Sequence, residues 1–241
     1  MSRAVFLTGF WRSGTNATVF ALNKHQEVTL YNENNPEAFE NWRLKDLDII
    51  EKLCSSHKKS KISLFKPVSE PDRISEYLNL GRESKVIYLY RLPENVCKSG
   101  FQNFGEEWSR IHRQFIKKLL EGKEPYSKYN SEVAYHIREQ AKLFYTESLN
   151  NESVIILRWL LSNQFFLRCN FKSNKNVLTI SYEELTTEPI NIFQKICNFL
   201  EIEYDSLITE GIHSYNRHKF EIKIDEKVRL AAEECYHKLK Q

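Results

Sequence analysis

The segment Ala4-Val5-Phe6-Leu7-Thr8-Gly9-Phe10-Trp11-Arg12-Ser13-Gly14-Thr15-Asn16 constrains this chain more than any other. It reads as a buried strand, a loop framed by Gly9 and Gly14, and a helix opening near Thr15. A chain that turns this way aims free backbone N–H groups and a helix N-terminus at an anion, most often a phosphate. The glycine spacing is that of a Walker A loop, but such a loop continues with Lys and Ser/Thr. Here the next residues are Thr15 and Asn16, and the cation, Arg12, sits inside the loop. An amide stands where a Mg²⁺-binding hydroxyl would be. The loop therefore reads as a phosphate holder that does not present a metal-bound triphosphate.

The 241 residues suit one α/β domain, with a mainly helical section at about 105–170. A hydrophobic content of 41% is enough for a real core, and a net charge of +3 is too mild to make nucleic acid the main partner. The apolar run Val5–Gly9 is too short for a leader or a membrane anchor. The longer run from Val154 to Leu167 is interrupted by Arg158, Asn163 and Gln164 and reads as a buried helix. Five cysteines are scattered without a C-x-x-C pair, which suits reduced thiols and a cytoplasmic location.

Strands are expected at Val5–Gly9, Lys61–Lys66, Val86–Tyr90 and Asn176–Ile180, with a short extended stretch at Glu27–Tyr31. Helices are expected at about 45–58, Ile74–Leu80, from Pro93, at Ile190–Leu200 and at Asp225–Lys240. Alternation of this kind implies a P-loop NTPase-like, three-layer α/β sandwich: a central, mostly parallel sheet of about 4–5 strands flanked by helices. Ligands of such sheets bind at the carboxyl ends of strands, where Gly9, Lys66 and Arg91 all fall.

Three separated segments carry a family resemblance. The loop from Gly9 to Asn16 places Arg12 before Ser13-Gly14-Thr15. The stretch Val86 to Ser99 is an apolar strand followed by Arg91, Pro93 and Ser99. The third is Ile180-Ser181-Tyr182-Glu183-Glu184-Leu185, followed by Ile196-Cys197-Asn198-Phe199-Leu200. Together they resemble the sulfotransferases that use 3′-phosphoadenosine 5′-phosphosulfate (PAPS), with order and approximate spacing matched across residues 4 to 202.

The resemblance implies that Trp11, Arg12, Ser13, Gly14, Thr15 and Asn16 hold the 5′-phosphosulfate, and that Arg91 and Ser99 hold the 3′-phosphate. It implies a metal-independent enzyme with PAP as by-product. In the branch that includes tyrosylprotein and bacterial sulfotransferases a glutamate is the general base. By position that is Glu33, with Lys66 facing the sulfuryl oxygens and Arg12 neutralising the leaving phosphate. His25-Gln26 stands where that branch has His-Pro. His112 is the competing base, by likeness to the small-molecule sulfotransferases. Tyr182 suits packing or cofactor contact equally. Arg217, in the basic segment 213–219, either closes over the 3′-phosphate or belongs to a plain basic loop. The expected acceptor is a hydroxyl, with a saccharide favoured by family analogy. Two other readings stay open: a P-loop nucleotide kinase, which would need Mg²⁺, and a PAP-binding module that transfers nothing.

Overall fold

The computed structural model describes residues 2–56, 60–81, 83–123, 126–212 and 221–241. In chain order its elements are β1 (Arg3–Gly9), α1 (Thr15–Leu22), β2 (Val28–Tyr31), β3 (Phe39–Glu40), β4 (Arg43–Leu44), α2 (Leu47–Ser56) and β5 (Ile62–Phe65). There follow α3 (Ile74–Asn79), β6 (Lys85–Tyr90), α4 (Pro93–Phe104), α5 (Glu106–Leu120), α6 (Tyr126–Tyr129), α7 (Ser131–Phe144) and α8 (Asn151–Arg168). The chain closes with β7 (Val177–Ser181), α9 (Tyr182–Thr187), α10 (Pro189–Leu200) and α11 (Glu226–Lys240). They form two compact units. One comprises the described residues of 1–90 and 173–215, the other those of 91–172 and 216–241.

The first unit is built on a five-stranded sheet in the order β2-β5-β1-β6-β7, with every pairing parallel. Such a sheet must be covered on both faces, and the sequence provides two different covers. Val5, Leu7, Leu64, Ile87, Leu89 and Ile180 belong to one aliphatic cluster with Val19 and Leu22 of α1 and Phe193, Ile196 and Leu200 of α10. Phe6 points the other way, as alternation along a strand requires. It stacks on Tyr77 of α3 at 4.4 Å and on Phe65 at 5.5 Å between ring centroids. Each such fully buried side chain contributes about 1.5–3 kcal/mol. β1, with no exposed residue, lies centrally between β5 and β6.

The second unit is helical and centred on α8. Its residues from Ser153 to Asn163 are all buried, which accounts for the apolar run. Arg158 is 4% exposed within it, stacked on the Phe115 ring at 3.5 Å and donating to the Tyr126 hydroxyl at 2.8 Å. Asn130 caps α7 and Asn150 caps α8, each accepting from a first-turn N–H.

The expected strands and helices are present. The helical section is broken at 145–150 and at Gly122–Lys123, and the short helix α6 falls inside the expected Gly122–Asn130 interruption. The antiparallel hairpin β3–β4 and the short helix α9 were not foreseen. No cysteine is in a disulfide. No helix among the described residues is long and apolar enough to cross a membrane.

Candidate active site

The loop after β1 is shaped by two glycines. Gly9 has φ +155°, and its strand lies so close to β6 that a Cβ there would run into the Leu89 carbonyl oxygen. Gly14 has φ +92°, and a Cβ there would overlap the Tyr182 ring. Between them the chain turns tightly, with the Ser13 N–H donating to the Phe10 carbonyl at 3.2 Å. Arg12 is in the left-handed region at φ 67°, a conformation that costs a non-glycine residue on the order of 1–2 kcal/mol.

Gly14 is the N-cap residue of α1, and no side chain caps the helix. Its carbonyl accepts from the Thr18 N–H and the Thr18 hydroxyl, both at 3.1 Å. Helix geometry then leaves the N–H groups of Thr15, Asn16 and Ala17 without intrahelical acceptors, at the positive end of the helix dipole. Ser13 is fully buried, and its Oγ has no hydrogen-bond partner among the described residues. Thr15 is buried, Trp11 and Arg12 are half-buried, and Asn16 is exposed. An uncapped helix start, a buried hydroxyl donor and a cation within one turn suit a phosphate-type anion.

Glu33 and Lys66 meet through sheet topology. β2 and β5 are parallel neighbours with Tyr31 opposite Phe65. The next residues along each strand therefore emerge side by side, and Lys66 Nζ forms an ion pair with Glu33 Oε2. The Lys66 N–H continues the ladder to the Tyr31 carbonyl at 3.2 Å. On the Glu33 side, Asn32 Oδ1 accepts from the Glu33 N–H at 3.0 Å, and the Asn32 carbonyl accepts from the Asn35 N–H at 2.8 Å. The Lys66 side chain is 2% exposed and that of Glu33 24%. Burial pulls the Lys66 ammonium below the ordinary lysine range, and the hydrogen bond and charge of Glu33 act against that shift.

Tyr182 follows β7 as the first residue of α9, and its ring lies across Gly14. Ser69, which sequence reasoning did not single out, sits in the left-handed region at φ 58° and donates its N–H to the Gly9 carbonyl at 3.0 Å. This bond ties the loop after Lys66 to the end of β1.

In the helical unit, Arg91 directly follows β6 and is 3% exposed. Pro93 takes the first position of α4, as its fixed φ favours. Ser99 lies two turns along α4 and is 5% exposed. His112 is 2% exposed, edge-on to Trp108 at 4.3 Å between ring centroids. Burial, with Arg158 adding to it, holds His112 well below the ordinary histidine range. Arg217 lies outside the described residues. Among the described residues, no group of three or more His, Cys, Asp or Glu side chains could hold a metal ion.

A parallel sheet with an anion-type loop after its central strand defines the chain as a P-loop-like α/β protein. The family follows from a direct match: the model of the sulfotransferase domain covers residues 2–220, and the chain belongs to that family. Three solved structures show the same fold. The sulfotransferase domain from the Synechococcus PCC 7002 olefin synthase is 14% identical, with 100% of this chain and 95% of that one aligned at a TM-score of 0.63. The sulfotransferase domain from the curacin biosynthetic pathway is 17% identical, covering 100% and 98%, at 0.60. A sulfotransferase from Alicyclobacillus acidocaldarius is 14% identical, covering 99% and 93%, at 0.52. No curated protein matches by sequence.

Proposed function

We propose that this sulfotransferase moves the sulfuryl group of PAPS to an acceptor hydroxyl, with Glu33 as general base. The observation that carries this reading is the Glu33–Lys66 ion pair at the carboxyl ends of two neighbouring strands. A carboxylate beside a buried ammonium supplies both needs of in-line sulfuryl transfer. Glu33 takes the proton of the acceptor hydroxyl as its oxygen forms the new bond to sulfur. Lys66 stabilises the sulfuryl oxygens as charge spreads over them. The bond from sulfur to the 5′-phosphate oxygen breaks, and PAP leaves with the electron pair.

In this reading Arg12, the Ser13 hydroxyl and the N–H groups of Gly14, Thr15 and Asn16 receive the charge that gathers on the 5′-phosphate. The buried Ser13 hydroxyl and the uncapped start of α1 fit that group. Trp11 and Tyr182 line the loop, and Arg91, Ser99 and Arg217 are assigned to the cofactor, the first two to its 3′-phosphate. The reaction needs no metal, because arginine and backbone donors do what Mg²⁺ does for a triphosphate. The acceptor is a carbohydrate or another small or oligomeric metabolite, and the enzyme works in the cytoplasm. His112, buried edge-on against the Trp108 ring, suits a packing role better than that of base. The presence of the Glu33–Lys66 pair favours transfer over a binding module that retains PAP.

The test is turnover. The protein is incubated with PAPS and pooled mono- and oligosaccharides, and PAP release and sulfated product are read by mass spectrometry. Acceptor-dependent PAP release that vanishes in Glu33→Gln supports the reading. PAP release unaffected by that substitution overturns Glu33 as the base.

A further inference from the structure

We propose that Arg73 is a positioning residue for the Glu33–Lys66 pair, fastening the loop that begins at Lys66 to the segment that carries Glu33. This inference rests on the reading of that pair as the catalytic one.

Arg73 is 8% exposed and lies at the end of the 3₁₀ turn Pro71–Arg73, just before α3. Its Nη1 donates to the Leu44 carbonyl at 2.7 Å and to Glu70 Oε2 at 3.3 Å, and its Nε to Glu76 Oε2 at 2.9 Å. Glu70, 4% exposed, also accepts from the Tyr77 hydroxyl at 2.7 Å. Burial, and after it the Glu70 carboxylate, raise the Tyr77 phenol well above its ordinary range, so it stays a donor.

These bonds close a ring. From Arg73 the path runs through Leu44 to Lys45, whose N–H donates to Ala38 at 2.9 Å. Phe39 then donates to the Asn35 carbonyl at 2.9 Å, and Asn35 to that of Asn32 at 2.8 Å. Asn32 holds the Glu33 N–H. In the other direction Arg73 grips Glu70, four residues after Lys66, in a loop also pinned by Ser69 to Gly9. The Glu33–Lys66 ion pair completes the circuit. Buried ion clusters are weak net stabilisers, because desolvation offsets their attraction. What the planar fork of an arginine adds is geometry, since it reaches a carbonyl and two carboxylates in fixed directions. A lysine keeps the charge but cannot serve all three.

The experiment is brief acylation with acetic anhydride, mapped by peptide mass spectrometry, on the wild-type chain and on Arg73→Lys. Lys66 is buried and paired, so it labels slowly in the wild type. Losing the fork is expected to speed Lys66 labelling about tenfold or more, the scale of one charge-assisted hydrogen bond. Lys85, held by Glu201 and the Phe199 carbonyl, serves as internal control and stays unchanged. Equal Lys66 labelling in both proteins overturns the proposal, as does a matching rise at Lys85, which signals general loosening. Tyr77→Phe, which removes the Tyr77 hydroxyl bond that holds Glu70 against Arg73, carries the same expectation should Arg73→Lys fail to fold. These readouts need no sulfuryl transfer and stand apart from any failure of the proposed activity. In turnover, Arg73→Lys should lower kcat in the wild type, leave KM for PAPS unchanged, and add little to Lys66→Met. Additive losses in kcat would also overturn it.

Discussion

The Tyr182 ring lies directly over Gly14, where any β-carbon would overlap it, and Gly14 itself is left-handed at φ +92°. The start of α1 is thus shaped twice, by a backbone conformation natural to glycine and by an aromatic lid from α9. The direction of the N–H groups that follow Gly14 is set by that turn.

Gly14→Ala therefore meets both obstacles. The substitution is expected to cost about 1–3 kcal/mol of stability through the forced positive φ alone. It should also weaken PAP binding by displacing the first turn of α1. Chemical denaturation and calorimetry check the two effects. Wild-type stability and affinity together would show that the turn tolerates a Cβ.

The charge of Arg12 separates cleanly from its backbone. At φ 67° a glycine is relaxed where alanine is strained. Arg12→Gly should thus keep the loop shape and lose only the guanidinium. The expected loss of PAP affinity is about 1.5–3 kcal/mol, the range for a charge-assisted hydrogen bond. Arg91→Ala is expected to lose a similar amount. Unchanged calorimetric affinity in both variants would remove them from the phosphate contacts.

Glu33→Gln is expected to keep PAP affinity and lose about 10²–10⁴-fold in kcat, the usual contribution of a general base. Lys66→Met should also lose kcat with little change in donor binding. Steady-state kinetics with the acceptor found in the PAP-release screen separates kcat from KM.

Lys66 also gives a pH signature. Burial places its folded pKa below the ordinary lysine value of 10.5, against the pull of Glu33. Below the folded pKa, folded and unfolded chains both carry the proton, and the cost of the buried charge is felt in full. As pH rises from there toward 10.5, the unfolded chain holds more protons than the folded one, so stability from this group increases. Lys66→Met lacks that rise. The stability difference between Lys66→Met and wild type, followed by denaturant midpoint from pH 7 upward, should shift in favour of the wild type across that window. A constant difference would contradict the assigned shift.

At the tip of the β3–β4 hairpin, Asn41 and Trp42 have φ 49° and 66°, as a type I′ turn requires, and Trp42 is 68% exposed. A bulky residue in that conformation is strained, and little packing is lost with it. Trp42→Gly is expected to raise stability by about 1 kcal/mol, measured as an upward shift in Tm. A lower Tm would mean that the indole makes contacts worth more than the strain.

The parts of the fold and site legible in the sequence are those written in local pattern. The Gly9–Gly14 frame, the cation at Arg12, the Pro93 helix start and the polar breaks in the Val154–Leu167 helix are all short-range signals. Glu33 and Lys66 could be named one at a time, but their meeting depends on β2 lying beside β5, a long-range pairing without a local signature. Tyr182 over Gly14 is hidden for the same reason. The hairpin escaped because Asn41-Trp42 lacks the glycine that usually marks a type I′ turn. Arg73 escaped because its ties to Leu44, Glu70 and Glu76 arise only once three segments are folded together. The burial of His112 is likewise something no spacing reveals.

The central claim, a loop and cation set made for PAPS, is tested most directly by calorimetric titration with PAP, with ATP plus Mg²⁺ as the control. The account predicts saturable PAP binding, a rise in stability of about 2.7 kcal/mol at a hundredfold excess over Kd, and no comparable response to ATP–Mg²⁺. Absence of PAP binding, or tighter binding of ATP–Mg²⁺, would contradict it.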